Sequence, residues 1–368
     1  MKNVSTLMDK AERPIRAVQF GTGNFLRAFA DWMLEIVNEK TDWNGNVVMV
    51  KSTDHGSLSA LKGQDCVYTA ALRGLENGVP VERLCTVTCV SDALACSAEY
   101  DRVLALAKLP ELRFVLSNTT EVGIAWDERD EATDRPPRSF PAKLTQLLYA
   151  RAQAFDYAGN KGLIMLPMEL IDDNGGALRT LVVRYAEKWA LGERFLNWLD
   201  ESCAFASTLV DRIVTGKPAD ADALCAKLGV QDDCLVAAEP YMSWVIACDW
   251  EIEEELPLQK AGLSVIYAQD LAPYRTRKVR LLNGAHTSFV PAAYLAGFDI
   301  VRDAVLDPDF GRFIRKTLEK EILPTIDQPE EELRAFANSV LERFANPYID
   351  HSLLAICLNS VSKWRARI

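Results

Sequence analysis

IRAVQF (Ile15–Phe20) runs straight into GTGNFLR (Gly21–Arg27), and FADWMLEIVNE (Phe29–Glu39) follows with Phe29, Met33, Ile36 and Val37 at helical spacing. A short apolar strand, a glycine turn and an amphipathic helix form the setting in which backbone amides and a helix N-terminus cradle a pyrophosphate. Gly21 permits the tight turn and Gly23 lets the backbone approach the phosphates. Leu26 stands where a GxGxxG pattern has its third glycine, which leaves an ordinary strand-to-helix turn as the bland alternative. VVMVK (Val47–Lys51) predicts the second strand of a βαβ unit. Just beyond it, Asp54 is the nearest carboxylate that could take a ribose 2′-hydroxyl and so favour NAD, whereas Lys51 could accept the 2′-phosphate of NADP.

Further along the chain, RFVL (Arg113–Leu116) and LIML (Leu163–Leu166) predict two more buried strands, with helices at Glu99–Ala107 and Ala142–Phe155. That alternation implies a parallel sheet. Asp127–Pro141 is charged, proline-bearing and aperiodic, and predicts a surface loop. The pattern turns helical from Leu181, strand-like at Leu263–Ala268, and almost wholly helical after Pro273. Helices are expected at Val279–Leu295, Phe310–Glu321, Glu330–Arg343 and Ser352–Arg365. The expected fold class is α/β: a Rossmann-type dinucleotide-binding domain with inserted helices over residues 1–270, followed by a mostly α-helical C-terminal domain over 271–368 that carries catalysis and substrate.

Composition narrows the function. The 368 residues hold 52 acidic against 41 basic side chains, a net charge of −11, and a surface so acidic repels phosphate backbones, so no nucleic-acid partner is expected. No apolar run reaches the ~20 residues a membrane helix needs, and the N-terminus lacks a signal-peptide core, so the expectation is a cytoplasmic protein with no membrane partner. Nine cysteines are scattered without a CxxC pair; Cys85 and Cys89 flank Val87 in a strand-like run. Reduced thiols packed as small hydrophobes, and no metal site, are the expectation.

RKVRLLNGAHTSF (Arg277–Phe289) places Lys278, Asn283 and His286 in an otherwise apolar stretch. On an α-helix, Asn283 and His286 are neighbours on one face, whereas Lys278 and Asn283 lie about 140° apart. Reducing a ketone requires a hydride and a proton. A lysine whose pKa falls from ~10.4 toward ~7–8 on burial can give that proton, and amides aimed at the oxygen stabilise the developing alkoxide. Read one by one, the same residues could be a solvated lysine, a turn asparagine and a core histidine. Tyr274 and Lys278 also spell YxxxK, the pair used by short-chain dehydrogenases, but they lie far from a glycine turn of the wrong spacing for that family.

Four separated blocks give the chain a family likeness: GTGNFLRAF (Gly21–Phe29), SNTTEVGI (Ser117–Ile124), ELIDDNG (Glu169–Gly175) with STLVDRIVTG (Ser207–Gly216), and RKVRLLNGAH with RFANPYIDHSLLAICLNSVSKWRARI at the end. Together they resemble the polyol-specific long-chain dehydrogenases, the mannitol dehydrogenase and uronate reductase family, in family order over nearly the whole chain. The family's turn is GxGNFxRA, so Leu26 fits it. The resemblance implies cofactor contacts from Gly21, Gly23, Asn24, Phe25, Arg27, Asp54, Asn118, Thr119 and Glu121. It also implies Lys278 as acid/base, Asn174 and Asn283 as oxyanion amides, His286 on a substrate hydroxyl and Asp211 near the site. It implies NAD as cofactor and metal-free catalysis. QDCVYTAALRG (Gln64–Gly74) and NPYIDHSLLAICLNS (Asn346–Ser360) resemble the branch that reduces tagaturonate to altronate in hexuronate breakdown. A sugar acid is then the expected substrate, with His351 and Lys363 as candidate ligands for its carboxylate. A fructuronate reductase or a mannitol- or arabinitol-type dehydrogenase would share these catalytic residues, and a non-catalytic cofactor-binding protein would share the turn. Family members run on well past the position of Ile368, so the resemblance implies that part of the helical domain is missing. The sequence offers no expectation for the oligomeric state.

Overall fold

A computed structural model describes residues 1–119 and 123–368. The first compact unit comprises Met1–Ala71, Leu84–Ala238 and Met242–Gln269. Its centre is a sheet of six parallel strands: β1 (Ile15–Phe20), β2 (Asn46–Lys51), β3 (Val90–Ala95), β4 (Phe114–Ser117), β5 (Ile164–Pro167) and β6 (Ala204–Phe205). They lie in the order β3-β2-β1-β4-β5-β6, the doubly wound arrangement in which the strand order reverses beside β1. Phe20 of β1 pairs with Val50 of β2 on one side and Ser117 of β4 on the other. The glycine turn therefore leaves the carboxyl end of the central strand, where ligands of such sheets bind.

Val18, Phe20, Val48, Val50 and Val115 pack one face of the sheet against helices Phe140–Ala154 and Asn174–Lys188. All six residues of β2 are buried, as a strand covered on both faces requires. Downstream, β7 (Ser207–Asp211) pairs antiparallel with β8 (Ser243–Ala247), which pairs parallel with β9 (Val265–Ala268). The Asp127–Pro141 stretch is irregular up to Ser139, which caps the helix from Phe140, and it is anchored from within. Asp130 is fully buried, and its carboxylate accepts from the amides of Arg138 (2.5 Å) and Ser139 (3.0 Å).

The second compact unit comprises Leu72–Arg83, Glu239–Tyr241 and Asp270–Ile368. Leu281, Phe289, Ile314, Leu318, Val340 and Phe344 form its core, buried between helices. Two of its expected helices differ in ways that matter for the site. Val279–Leu295 is not uniformly α-helical: Ala272–Arg277 and Ala285–Leu295 are α, and Lys278–Gly284 between them is π. Ser352–Arg365 is not one helix. It breaks after Cys357, where Leu358 is extended and Asn359 left-handed (φ 59°), and resumes as Ser360–Arg367. His351 precedes Ser352, which caps the first piece, so Asn359 and Lys363 do not share a helix face with it. Asparagine tolerates the left-handed conformation that makes this break.

No described helix is long and apolar enough to cross a membrane. The nine cysteines are unpaired thiols, six of them buried.

Candidate active site

The glycine turn is shaped by what surrounds it. Gly21 has φ 132°, and a Cβ there would come within 2.8 Å of Leu26 Cδ1 and 3.0 Å of the Asn118 carbonyl oxygen, so only glycine fits. Leu26 closes against the turn from below, which is why a leucine replaces the third glycine without opening a gap. The Gly21 amide donates to the Val50 carbonyl at 2.9 Å and ties the turn to β2. Gly23 is the opposite case. Nothing lies within 4 Å of the place its Cβ would take, and it stands exposed at the N-terminus of the helical stretch that runs from Asn24 to Lys40. An open backbone at a helix N-terminus, beside the central strand of a parallel sheet, fits a dinucleotide pyrophosphate.

The other expected cofactor residues sit around this turn in different ways. Asn24 Oδ1 accepts from Arg27 Nη2 at 2.6 Å, and Arg27 also donates to the Cys234 carbonyl. Phe25 stacks on Phe29 with centroids 4.9 Å apart. Asn118 donates from Nδ2 to the Met168 carbonyl at 2.6 Å, and Thr119 donates from both its amide and its hydroxyl to Glu169 Oε1 at 2.9 Å. Asp54 is exposed three residues beyond β2, while the neighbouring Lys51 is buried with its ammonium turned back onto the Thr53 carbonyl at 2.6 Å. Glu121 lies outside the described residues.

Glu169 is a residue the sequence reading passed over. Its buried carboxylate accepts from Ser117 and Thr119 and pins the segment leaving β4 to the end of β5. Burial pushes its pKa up. The available signal was a hydroxyl-rich run after one predicted strand (SNTT) and a carboxylate just after the next (Glu169 in MELID).

Asn174, which the resemblance implies as an oxyanion amide, is tied to the backbone around it. It is fully buried, and Nδ2 faces three carbonyl oxygens, those of Pro167 (3.1 Å), Glu169 (3.0 Å) and Thr208 (3.0 Å). Its Oδ1 accepts from the Thr208 amide at 2.8 Å. Two N–H groups spread over three acceptors leave no donor for a substrate oxygen, so the side chain clamps the end of β5 to β7. Asp211, at the other end of β7, is buried opposite Ser243.

In the second unit the π-helical segment changes the expected geometry of the lysine block. Its i→i+5 hydrogen bonding brings residues five apart toward one face on successive turns, so Asn283 turns toward the Lys278 side of the helix, where an α-helix would separate them by about 140°. Both side chains are half-buried. His286, one α-turn further on, is buried against the Phe344 ring at 4.2 Å and meets the His351 ring edge-on at 5.4 Å. His286 Nε2 is buried and without a hydrogen-bond partner among the described residues. Burial, helped by the charges of His351, Arg343, Arg367 and Lys363, holds its pKa well below the usual value, so the ring is neutral. An unpartnered buried acceptor or donor is costly unless something fills it, and a sugar hydroxyl is a fitting occupant.

The surrounding cations are unequal. Arg343 is buried and spent on Glu239, with Nη2 to Oε1 at 2.8 Å, so it has no charge to offer a carboxylate. Lys363 Nζ donates to the Ile356 carbonyl at 2.8 Å. Arg367, at the end of helix Ser360–Arg367, is half-buried with Nη1 3.5 Å from Thr287 Oγ1. Among the described residues no three His, Cys, Asp or Glu side chains come together as metal ligands.

The family model of the mannitol dehydrogenase Rossmann domain matches residues 15–260, and that of the mannitol dehydrogenase C-terminal domain matches residues 270–368. An altronate oxidoreductase of Yersinia enterocolitica is 48% identical over 357 residues, 96% of this chain and 74% of the relative. The altronate oxidoreductase of Shigella flexneri is 48% identical over 360 residues, 97% of this chain and 74% of the relative. Among solved structures, a substrate-free D-sorbitol dehydrogenase superposes with a TM-score of 0.80 at 26% identity, covering 99% of this chain and 78% of the other. Mannitol 2-dehydrogenase of Pseudomonas fluorescens, in a ternary complex with NAD and D-mannitol, shares the fold with a TM-score of 0.77 at 22% identity, over 95% and 72% of the two chains.

Proposed function

Because this chain belongs to the mannitol dehydrogenase family, we propose that it is an NAD-dependent keto-uronate reductase, converting tagaturonate to altronate. The observation that carries the proposal is the 48% identity to altronate oxidoreductases over 96% of the chain, which takes in both the glycine turn and the lysine block.

The residues of the turn fit the cofactor: Gly21 admits no side chain, and Gly23 leaves its backbone open at a helix N-terminus. When bound, NADH supplies the hydride that reduces the carbonyl carbon. Lys278 gives its proton to the developing alkoxide, and takes it back in the reverse direction. Asn283, brought toward the same side by the π-segment, donates its amide N–H to the same oxygen. With the Asn174 amide committed to backbone carbonyls, oxyanion stabilisation falls to these two. His286 takes a sugar hydroxyl, Lys363 and Arg367 supply positive charge for the carboxylate, and His351, a neutral ring, serves it as a hydrogen-bond partner. Such local charge is what an acidic protein needs to hold an anionic substrate.

Steady-state NADH oxidation with tagaturonate, fructuronate and fructose side by side tests the assignment. The expected order of kcat/KM places tagaturonate first. Faster turnover of fructose would make the chain a polyol dehydrogenase, and NADH binding without turnover of any ketone would make it a non-catalytic binder.

A further inference from the structure

Directly beneath the glycine turn lies a buried carboxyl group that the mechanism does not use. Asp31, the last residue of the π-helical segment Arg27–Asp31, has no exposed surface. Its Oδ2 accepts from Tyr68 Oη at 3.0 Å and from Gln19 Nε2 at 3.3 Å. Gln19, equally buried in the middle of β1, donates from the same Nε2 to the carbonyl oxygen of Gly21 at 3.1 Å. Tyr68 Oη also lies 3.1 Å from the Arg27 carbonyl, and Cys89 Sγ lies 3.3 Å from the Asp31 carbonyl. A fixed chain of contacts thus runs from the carboxyl through one amide to the first peptide of the turn.

Two acceptors in this cluster, Asp31 Oδ1 and Gln19 Oε1, are buried without a partner among the described residues. An apolar pair would fill the same space without that cost. A proton on Asp31 would turn one of the orphan acceptors into a donor and weaken the hold of the carboxyl on the Gln19 amide. The charged and titratable groups around Asp31 are Arg27 and Glu35 on its own helix, Tyr68 from strand Tyr68–Glu76, and Cys89 after strand Val79–Val87, while Arg212 reaches the same helix at the Ala28 carbonyl.

We propose that Asp31 is a positioning residue for the cofactor turn, acting through Gln19 on the Gly21–Thr22 peptide, so that its protonation loosens the grip of the turn on the pyrophosphate. The inference rests on the reading of the turn as the dinucleotide site. Burial raises the Asp31 pKa to about 7, with the Tyr68 hydrogen bond pulling the other way, so both forms are populated near neutrality. The ionised carboxylate holds Gln19, and Gln19 holds the peptide. Cofactor affinity therefore weakens as pH falls through that value.

The test is NADH titration by fluorescence on the full chain, between about pH 6 and pH 8. The wild-type Kd should rise several-fold, up to about tenfold, toward the acid end, as a single proton on a group of this pKa allows. In Asp31→Asn the Kd should stay within about twofold across the range, since nothing is left to titrate. Gln19→Leu, which cuts the link and keeps the carboxyl, should also lose the dependence. Tyr68→Phe should keep it and move its midpoint to higher pH, a shift that a purely structural role would not produce. KM for NADH should change more than kcat in both Asp31→Asn and Gln19→Leu. If folded Asp31→Asn and Gln19→Leu both keep the wild-type pH profile, the inference is overturned while the turn assignment stands. If wild-type protein binds no NADH at any pH, the turn assignment itself falls, and the inference with it.

Discussion

Lys278 opens the π-helical segment and Asn283 lies five residues along it, so the two occupy successive turns of one face. A regular α-helix would turn them well away from each other. The insertion that makes a π-segment costs helix geometry and is frequent at functional sites. The first expectation follows from this placement. Asn283→Ala should lower kcat for tagaturonate by roughly 10²–10³, the scale of a lost oxyanion donor, with little change in KM. Asn174→Ala should instead lower Tm, because its amide holds four backbone groups.

The two glycines of the turn should fail differently. Gly21→Ala puts a methyl group against Leu26 and the Asn118 carbonyl at positive φ, so it should cost stability, on the order of 1–3 kcal/mol. Gly23→Asp meets nothing and should fold normally, but its carboxylate stands where the pyrophosphate is expected, so NADH affinity should collapse. Thermal melts and NADH titrations on the two variants separate the effects.

Both His286 and His351 hold pKa values below the ordinary 6.5, chiefly through burial. As pH drops below 6.5 the unfolded chain takes up protons before the folded one. The stability from these neutral rings is therefore complete above that value and is lost as pH falls toward the folded-state pKa. Asp31, with its raised pKa, pulls in the opposite direction over the range below about 7. The difference between variants isolates the histidine. His286→Phe should lose less Tm than wild type between about pH 7 and pH 5, and an equal loss would count against a titrating His286.

How far the sequence spoke depends on the kind of signal. Strand β1, its glycine turn and the helix after it are legible because apolar period, glycine placement and strand length all agree. The π-segments at Arg27–Asp31 and Lys278–Gly284 are not, because one residue gained per turn leaves the apolar pattern almost unchanged. The hairpin of strands Tyr68–Glu76 and Val79–Val87 escaped the reading although its turn was in plain view. Asn77-Gly78, both at positive φ (53° and 75°), is the dipeptide that a tight hairpin turn prefers. The break at Leu358–Asn359 carried no glycine or proline to announce it. Asn174 reads as a catalytic amide by resemblance, and the three carbonyls that its amide faces are visible only in the fold.

Charge around His286 separates structural from binding roles. Arg343→Ala leaves Glu239 buried without its partner, so it should cost about 3–5 kcal/mol of stability. His351→Leu should leave Tm close to wild type and raise KM for tagaturonate about tenfold, equivalent to ~1.4 kcal/mol, with a smaller effect on uncharged ketoses. Melting curves beside KM values for both ketones check the pair.

The central claim is that Lys278 moves the proton in the reduction, and one measurement addresses it most directly: NADH-dependent reduction of tagaturonate by Lys278→Met beside Tyr274→Phe, with NADH Kd determined for each. The account predicts that Lys278→Met binds NADH like the wild type and loses turnover by about 10³ or more, the scale of a lost acid/base together with its charge, while Tyr274→Phe stays close to wild type. Retained turnover in Lys278→Met with loss in Tyr274→Phe would contradict it and hand the chemistry to the tyrosine.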